Sequence, residues 1–313
     1  RDFLPVLGKL AATFRKKGRE FAKVYKSGRT HLQDAALMTL GQEFNAYGEN
    51  MERHVRRIEE ASKDCRELGI GGSAVGTGLN THKDYCREMA KLLSEQTGLK
   101  LAPHPDLFEA MQSMGPFVAL SNTYRNLALD LTRIANDFRL MTSGPATGFG
   151  EILLPVMQPG SSIMPGKVNP VMAECLNMVC FQVLGHDATV AMAAQAGQME
   201  LNVMMPVLAY NLNQEITLLT NMLRAFEEKC VSGVQADEER CRGYADQSTQ
   251  VATALNPVIG YEKAADVVKA ALKEGKTVRQ VVLEKKLLSD EQYDKAIKLD
   301  KIVDPHGRSL RRK

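Results

Sequence analysis

What this chain lacks narrows it first. No two of its six cysteines, at positions 65, 86, 175, 180, 230 and 241, form a CxxC pair, and none groups with histidine at metal-ligand spacing. The sequence therefore gives no basis for a metal site, and no metal is expected. No signal-peptide pattern opens the chain, so the thiols read as reduced, several buried as small hydrophobes, in a cytoplasmic protein. No apolar run reaches the length of a membrane span, so no transmembrane helix and no membrane partner are expected. The formal charge of +3 is too small to imply nucleic acid, whereas a small anionic ligand stays compatible. The basic end "GRSLRRK" reads as a solvated terminus. Internal repeats and low-complexity segments are absent too, and so is any alternating run long enough for a useful strand.

Helical periodicity is what remains, and it is abundant. Phe44, Tyr47, Met51, Val55 and Ile58 step by three and four residues, with Ala61, Cys65 and Leu68 continuing the stripe. Arg53, Arg56, Glu59 and Glu60 occupy the opposite face. Long helices are expected near residues 32–68 and 171–230, the latter with Gly185, Gly197 and Pro206 as kinks or breaks. Past Asn256-Pro257 the texture shortens. Thr277 with Gln280, and Ser289 with Gln292, fit capping boxes for two short helices. The pattern predicts an all-α chain: a helical-bundle domain over 1–240 and a small helical C-terminal domain over 241–313. Helices so broadly apolar need partners on several sides, so oligomer contacts are expected.

One loop is too rich for a connector. "GSSIMPGKVNP" (160–170) sets two serines, a lysine and an asparagine among glycines and prolines. Asn169-Pro170 reads as an N-cap followed by the first helical residue. The loop then empties onto the positive end of a helix, where amides can hold an anion. Lys167 adds a full charge, and Ser161 and Ser162 add hydroxyls, one of them free to take a proton. Such a loop suits a carboxylate substrate, although an ordinary capped connector shares the same residue types. A second polar cluster, "SGRTHLQDA" (27–35), places Arg29, Thr30, His31, Gln33 and Asp34 at the start of a helical pattern. A third, "GIGGSAVGTGLN" (69–80), imitates a dinucleotide fingerprint but follows a helix rather than a strand, so it reads as a tight loop.

These stretches together resemble the fumarase/aspartase superfamily. "GSSIMPGKVNP" matches its signature, and "GRTHLQDA", "GTGLN", "NDFRLMTSGP" and "ALNPVIGYEKAA" follow the family pattern. The resemblance implies a mainly helical homotetramer around a central multi-helix bundle, with each active site drawn from three subunits and no cofactor. It implies that Ser161 is the base that removes the Cβ proton. Ser162, Lys167, Val168 and Asn169 look like ligands of the substrate carboxylate, and Thr30 with His31 like the pair that meets the other carboxylate. His31 also looks like an acid/base group in a charge pair with Glu174. Chemistry explains these residue types: taking a proton beside a carboxylate puts a second negative charge on it, which Lys167, Asn169 and loop amides would stabilise. A serine serves as base only where its own oxyanion is stabilised.

"AGQMELNVMMP" and "NPVMAE" resemble aspartate ammonia-lyases more than class II fumarate hydratases, as does "VRQVVLEKKLL" near the end. Elimination of ammonia from L-aspartate therefore stands ahead of hydration, a related amino-dicarboxylate being the other option. The resemblance departs at Ala146, where arginine is usual, at Met205, where glutamate is usual, and at His186, a usual asparagine position. Nothing here matches the family's N-terminal domain with its Ser/Thr/Asn-rich loop, so the chain reads as a piece of a longer enzyme. A non-catalytic helical oligomer, like the lens crystallins related to argininosuccinate lyase, is the alternative.

Overall fold

The computed structural model describes residues 2–159 and 163–307. Helix α1 (Phe3–Glu20) is followed by an antiparallel hairpin of β1 (Tyr25–Thr30) and β2 (Gln33–Thr39). After α2 (Leu40–Ala61), the short strand β3 (Glu67–Leu68) pairs in parallel with β4 (Ala102–Pro103), and α3 (Tyr85–Thr97) lies between them in sequence. Next come α4 (Leu107–Gln112), α5 (Gly115–Met141), β5 (Ile152–Leu153), α6 (Val171–Gln195) and α7 (Met205–Lys229). β6 (Gln235–Ala236) pairs with β5, and α8 (Glu238–Gln247), α9 (Asn256–Ile259), α10 (Tyr261–Glu274), α11 (Val278–Glu284), α12 (Asp290–Ala296) and α13 (Leu299–Val303) complete the chain. The fold class is all-α, as the periodicity predicts. No helix among the described residues is long and apolar enough to cross a membrane.

Two compact units form. The first takes Arg1–Ala11, Glu49–Arg139 and Met157–Cys230, and the second Ala12–Gly48, Leu140–Val156 and Val231–Lys313. In the first unit α6 packs along α7, and α5 meets both. The fully buried rings of Phe138 on α5 and Phe226 on α7 lie 5.6 Å apart, and each such side chain contributes roughly 1.5–3 kcal/mol. Helix α6 is apolar on more than its buried side: Leu176, Cys180, Val183 and Val190 are buried, yet Met178, Phe181 and Met192 are exposed. In the second unit, Phe14, Phe44 and Tyr47 form an edge-on aromatic cluster. A separate core joins Leu37 of β2 with Leu255, Val267, Val278, Val282 and Val303. Both expected capping boxes are formed, at Thr277/Gln280 and Ser289/Gln292.

Four expectations need correcting, the third only at Gly185, since the breaks at Gly197 and Pro206 are as expected. Residues 25–39 form a hairpin rather than the start of a helix, so α2 begins only at Leu40. Its start is fixed by a reciprocal cap: Gln42 N–H donates to Thr39 Oγ1 at 3.1 Å, and Thr39 N–H donates to Gln42 Oε1 at 2.9 Å. The stripe of α2 also stops early. His54 is fully buried while Val55 is half-buried, and Cys65 and Leu68 lie beyond the helix, in a 3-10 turn and in β3. The helical region over 171–230 breaks at 196–204, with Gly197 inside the break and Pro206 in the first turn of α7, while Gly185 leaves α6 uninterrupted. Finally, α6 starts one residue later than Asn169-Pro170 suggests. Val171 N–H donates to Asn169 O at 2.9 Å around Pro170, whose φ of −78° and ψ of 53° make an inverse γ-turn. The Asn169 side chain therefore does not cap the helix.

Candidate active site

The hairpin of the second unit carries Thr30 and His31. Its strands shift register between Ser27 and Arg29. Gly28 lies at that shift, where a Cβ would stand 2.7 Å from Ala36 O, so glycine alone lets the strands close. Beyond it Thr30 pairs with Gln33, leaving His31 and Leu32 as a two-residue loop. Their φ values are +56° and +58°, the pair of left-handed residues that defines a type I′ turn. Asn-Gly suits such a turn; for other L-residues the left-handed conformation costs roughly 1–2 kcal/mol each. The chain thus holds Thr30, His31 and Leu32 exposed on a strained tip.

A buried polar cluster lies along the same strand. Lys26 Nζ is 2.7 Å from Glu43 Oε2 and 2.8 Å from Glu151 Oε2, and Arg29 Nη1 is 2.7 Å from Glu151 Oε1. Glu151 is fully buried. Burial works against the Lys26 charge, but the Glu43 and Glu151 carboxylates outweigh it and leave the ammonium pKa above its ordinary 10.5. The Arg29 guanidinium also sits 4.4 Å from the Phe149 ring centre and 5.1 Å from that of Tyr244. In the same unit an open pocket of about 540 Å³ is lined by Ala146, Leu153, Asp237, Arg240, Tyr244 and Gln247, among others. Two of its charged side chains are engaged: Arg240 Nε donates to Phe149 O at 3.0 Å, and Asp237 Oδ1 caps α8 through Arg240 N–H.

In the first unit, the expected substrate loop leads into α6. Lys167 N–H donates to Met164 O at 3.2 Å, closing a turn through Gly166 at φ +80°. Lys167 and Val168 are exposed, Asn169 and Pro170 half-buried. Glu174, also half-buried, is the fourth residue of α6. Ser161 and Ser162 lie outside the described residues. The structure therefore groups Thr30 with His31 on one turn, and Lys167, Val168 and Asn169 on one loop a helical turn from Glu174. Among the described residues, no three His, Cys, Asp or Glu side chains are grouped to hold a metal ion.

A second buried cluster, in the first unit, has no sequence signature. Ser121 Oγ of α5 lies 2.8 Å from Asp187 Oδ1 of α6 and 2.9 Å from Glu215 Oε1 of α7. The single Ser121 hydroxyl proton serves one of these contacts at a time. Burial, joined by the Asp187 charge and outweighing the Ser121 hydrogen bond, pushes the Glu215 pKa up to about 8. Its Oε2 meets no hydrogen-bond partner among the described residues, as suits a neutral carboxyl. Arg125 Nη1 approaches Asp187 Oδ2 at 3.4 Å. His186 Nδ1 lies 2.6 Å from Asn211 Oδ1, which gives this departure from the family pattern a partner within the bundle.

Residues 1–185 match the family model described as Lyase, and residues 251–305 match the one described as Fumarase C C-terminus. The chain belongs to the fumarase/aspartase superfamily. An aspartate ammonia-lyase of Helicobacter pylori is 46% identical over 95% of this superfamily chain, which spans 64% of that relative's length. A class II fumarate hydratase of Neisseria meningitidis is 45% identical over 97% of the chain and 66% of the relative. Among solved structures, a fumarate lyase:delta crystallin of Brucella melitensis, bound to cobalt, superposes with a TM-score of 0.92 at 44% identity. That match covers 96% of this chain and 65% of the other. The chain therefore spans about two thirds of the length of these family members.

Proposed function

We propose that this chain is the larger part of an aspartate ammonia-lyase, which eliminates ammonia from L-aspartate to give fumarate. The observation that carries the reading is the loop from Ile163 to Pro170, with Lys167 exposed on it at the start of α6, in a chain of this family. In this reading Ser161 takes the Cβ proton. The C–H electron pair moves into the neighbouring carboxylate as an aci-carboxylate, whose second negative charge Ser162, Lys167 and Asn169 stabilise beside the Val168 backbone. The pair then returns to form the Cα=Cβ bond as ammonia leaves Cα. Thr30 and His31 hold the other carboxylate, and Glu174 balances His31. No cofactor takes part.

Assembly belongs to the same proposal. Phe181 and Met178 on α6, with Val207 and Tyr210 on α7, are exposed apolar side chains. Apolar area of this kind on long helices supports burial against further copies, hence a homotetramer whose active sites combine residues of different subunits. A second reading, class II fumarate hydratase, is favoured by the near-equal similarity of the hydratase relative. Fumarate formation by the full-length protein, followed by ultraviolet absorbance, separates them. Turnover of L-aspartate faster than L-malate supports the proposal, and turnover of L-malate alone reverses the order.

A further inference from the structure

We propose that Glu151 is the positioning residue of the Thr30–His31 turn, holding β1 through Lys26 and Arg29 so that the hairpin keeps its left-handed tip. The proposal rests on the functional reading only for what the turn touches; the hold itself is argued from geometry. A hairpin of six- and seven-residue strands, paired only with each other, is marginal by itself. A tip with two non-glycine residues at positive φ weakens it further. Something outside the hairpin must offset that strain.

The register supplies the means. Positions 26 and 29 are three apart and would face opposite sides of a regular strand. The shift at Gly28 turns Arg29 to the side of Lys26, and both reach one carboxylate, each on its own oxygen. Glu151 is itself immobilised by its backbone: its N–H donates to Met141 O at 2.7 Å, and its carbonyl accepts from Asp237 N–H at 3.0 Å. Phe149 and Tyr244 flank the Arg29 guanidinium, so the fork is held in place against the carboxylate. Glu43 pairs with Lys26, whereas the Arg29 guanidinium turns to Glu151. Among the described residues, Glu151 is the group that ties both cations of the strand to the body of the unit.

The test uses the full-length assembled protein and two readouts. In Glu151→Gln, amide hydrogen exchange across residues 25–39 rises by about tenfold or more, while α10 and α11 of the same unit keep their protection. The same variant loses about 10- to 100-fold in kcat/KM on the proposed substrate, the cost of a displaced contact group. Adding Leu32→Gly, which removes strain at the tip without touching the cluster, restores protection and much of the activity. If Glu151→Gln does not assemble, Arg29→Lys, which keeps the charge and gives up the planar fork, shows the same hairpin-specific rise. Unchanged exchange over 25–39 would overturn the proposal. So would an equal rise in α10 and α11, which marks a general structural role, or the absence of any rescue by Leu32→Gly. If the parent turns over neither L-aspartate nor L-malate, the functional reading fails while the exchange result still decides this one.

Discussion

Replacing Glu215 with glutamine keeps the size of the side chain and removes its proton equilibrium. The folded bundle holds Glu215 neutral up to about pH 8, whereas its ordinary pKa is 4.5. Below pH 4.5 both folded and unfolded chains carry the proton, and the group makes no pH-dependent difference. Between 4.5 and about 8 the unfolded chain releases the proton that the folded chain keeps, so the unfolded state binds fewer protons and stability falls as pH rises. Each pH unit costs about 1.4 kcal/mol, and the loss across the window is roughly 5 kcal/mol. Above pH 8 it stays constant. Glutamine offers Ser121 an amide oxygen in place of the carboxyl oxygen and has no proton to lose. Urea midpoints of parent and Glu215→Gln, taken at one protein concentration from pH 5 to 9, should coincide most closely at pH 5 and diverge as pH rises, with the variant the more stable. A difference that does not change with pH would refute the reasoning. So would a variant that loses ground as pH rises, which would mean that an ionised Glu215 holds the three helices together.

Four further outcomes follow from the same geometry. Thr39→Ala removes the hydroxyl that accepts from Gln42 N–H at the start of α2 and should cost about 1 kcal/mol in urea unfolding. Phe138→Ala opens a cavity against Phe226 in a fully buried position and should cost about 3–5 kcal/mol. Phe181→Arg places a charge on the exposed apolar face of α6 and should shift the assembly toward smaller species in light scattering. On the proposed reading, Lys167→Ala should lower kcat and raise KM of the full-length enzyme together, because the lysine charge would face negative charge present in the substrate that grows in the transition state.

The helices were legible where their signals are local. The stripe of α2 and the two C-terminal capping boxes stand in the sequence as periodicity and as Thr-x-x-Gln and Ser-x-x-Gln. The hairpin was not legible, because its turn breaks the usual rule: His31-Leu32 occupies a type I′ loop with no glycine or asparagine to mark it. One overlooked cue was present, since Thr39 and Gln42 form the same capping pair as Thr277 and Gln280 and mark where α2 begins. Chain order alone could not pair Glu151 with Lys26 and Arg29, more than a hundred residues away. Nor could it bring Ser121, Asp187 and Glu215 together from three helices. Such groups look like ordinary polar residues until packing makes them share a proton or a charge.

The claim that the loop before α6 performs proton abstraction is tested most directly by two serine variants of the full-length enzyme. Initial rates of fumarate release from L-aspartate are measured on variants whose assembly matches that of the parent. Ser161→Ala should lose about 100- to 10,000-fold in rate or more, as befits a general base, while Ser162→Ala retains clearly more activity. An inactive Ser162→Ala beside an active Ser161→Ala would move the base by one residue, and full activity in both would contradict the account.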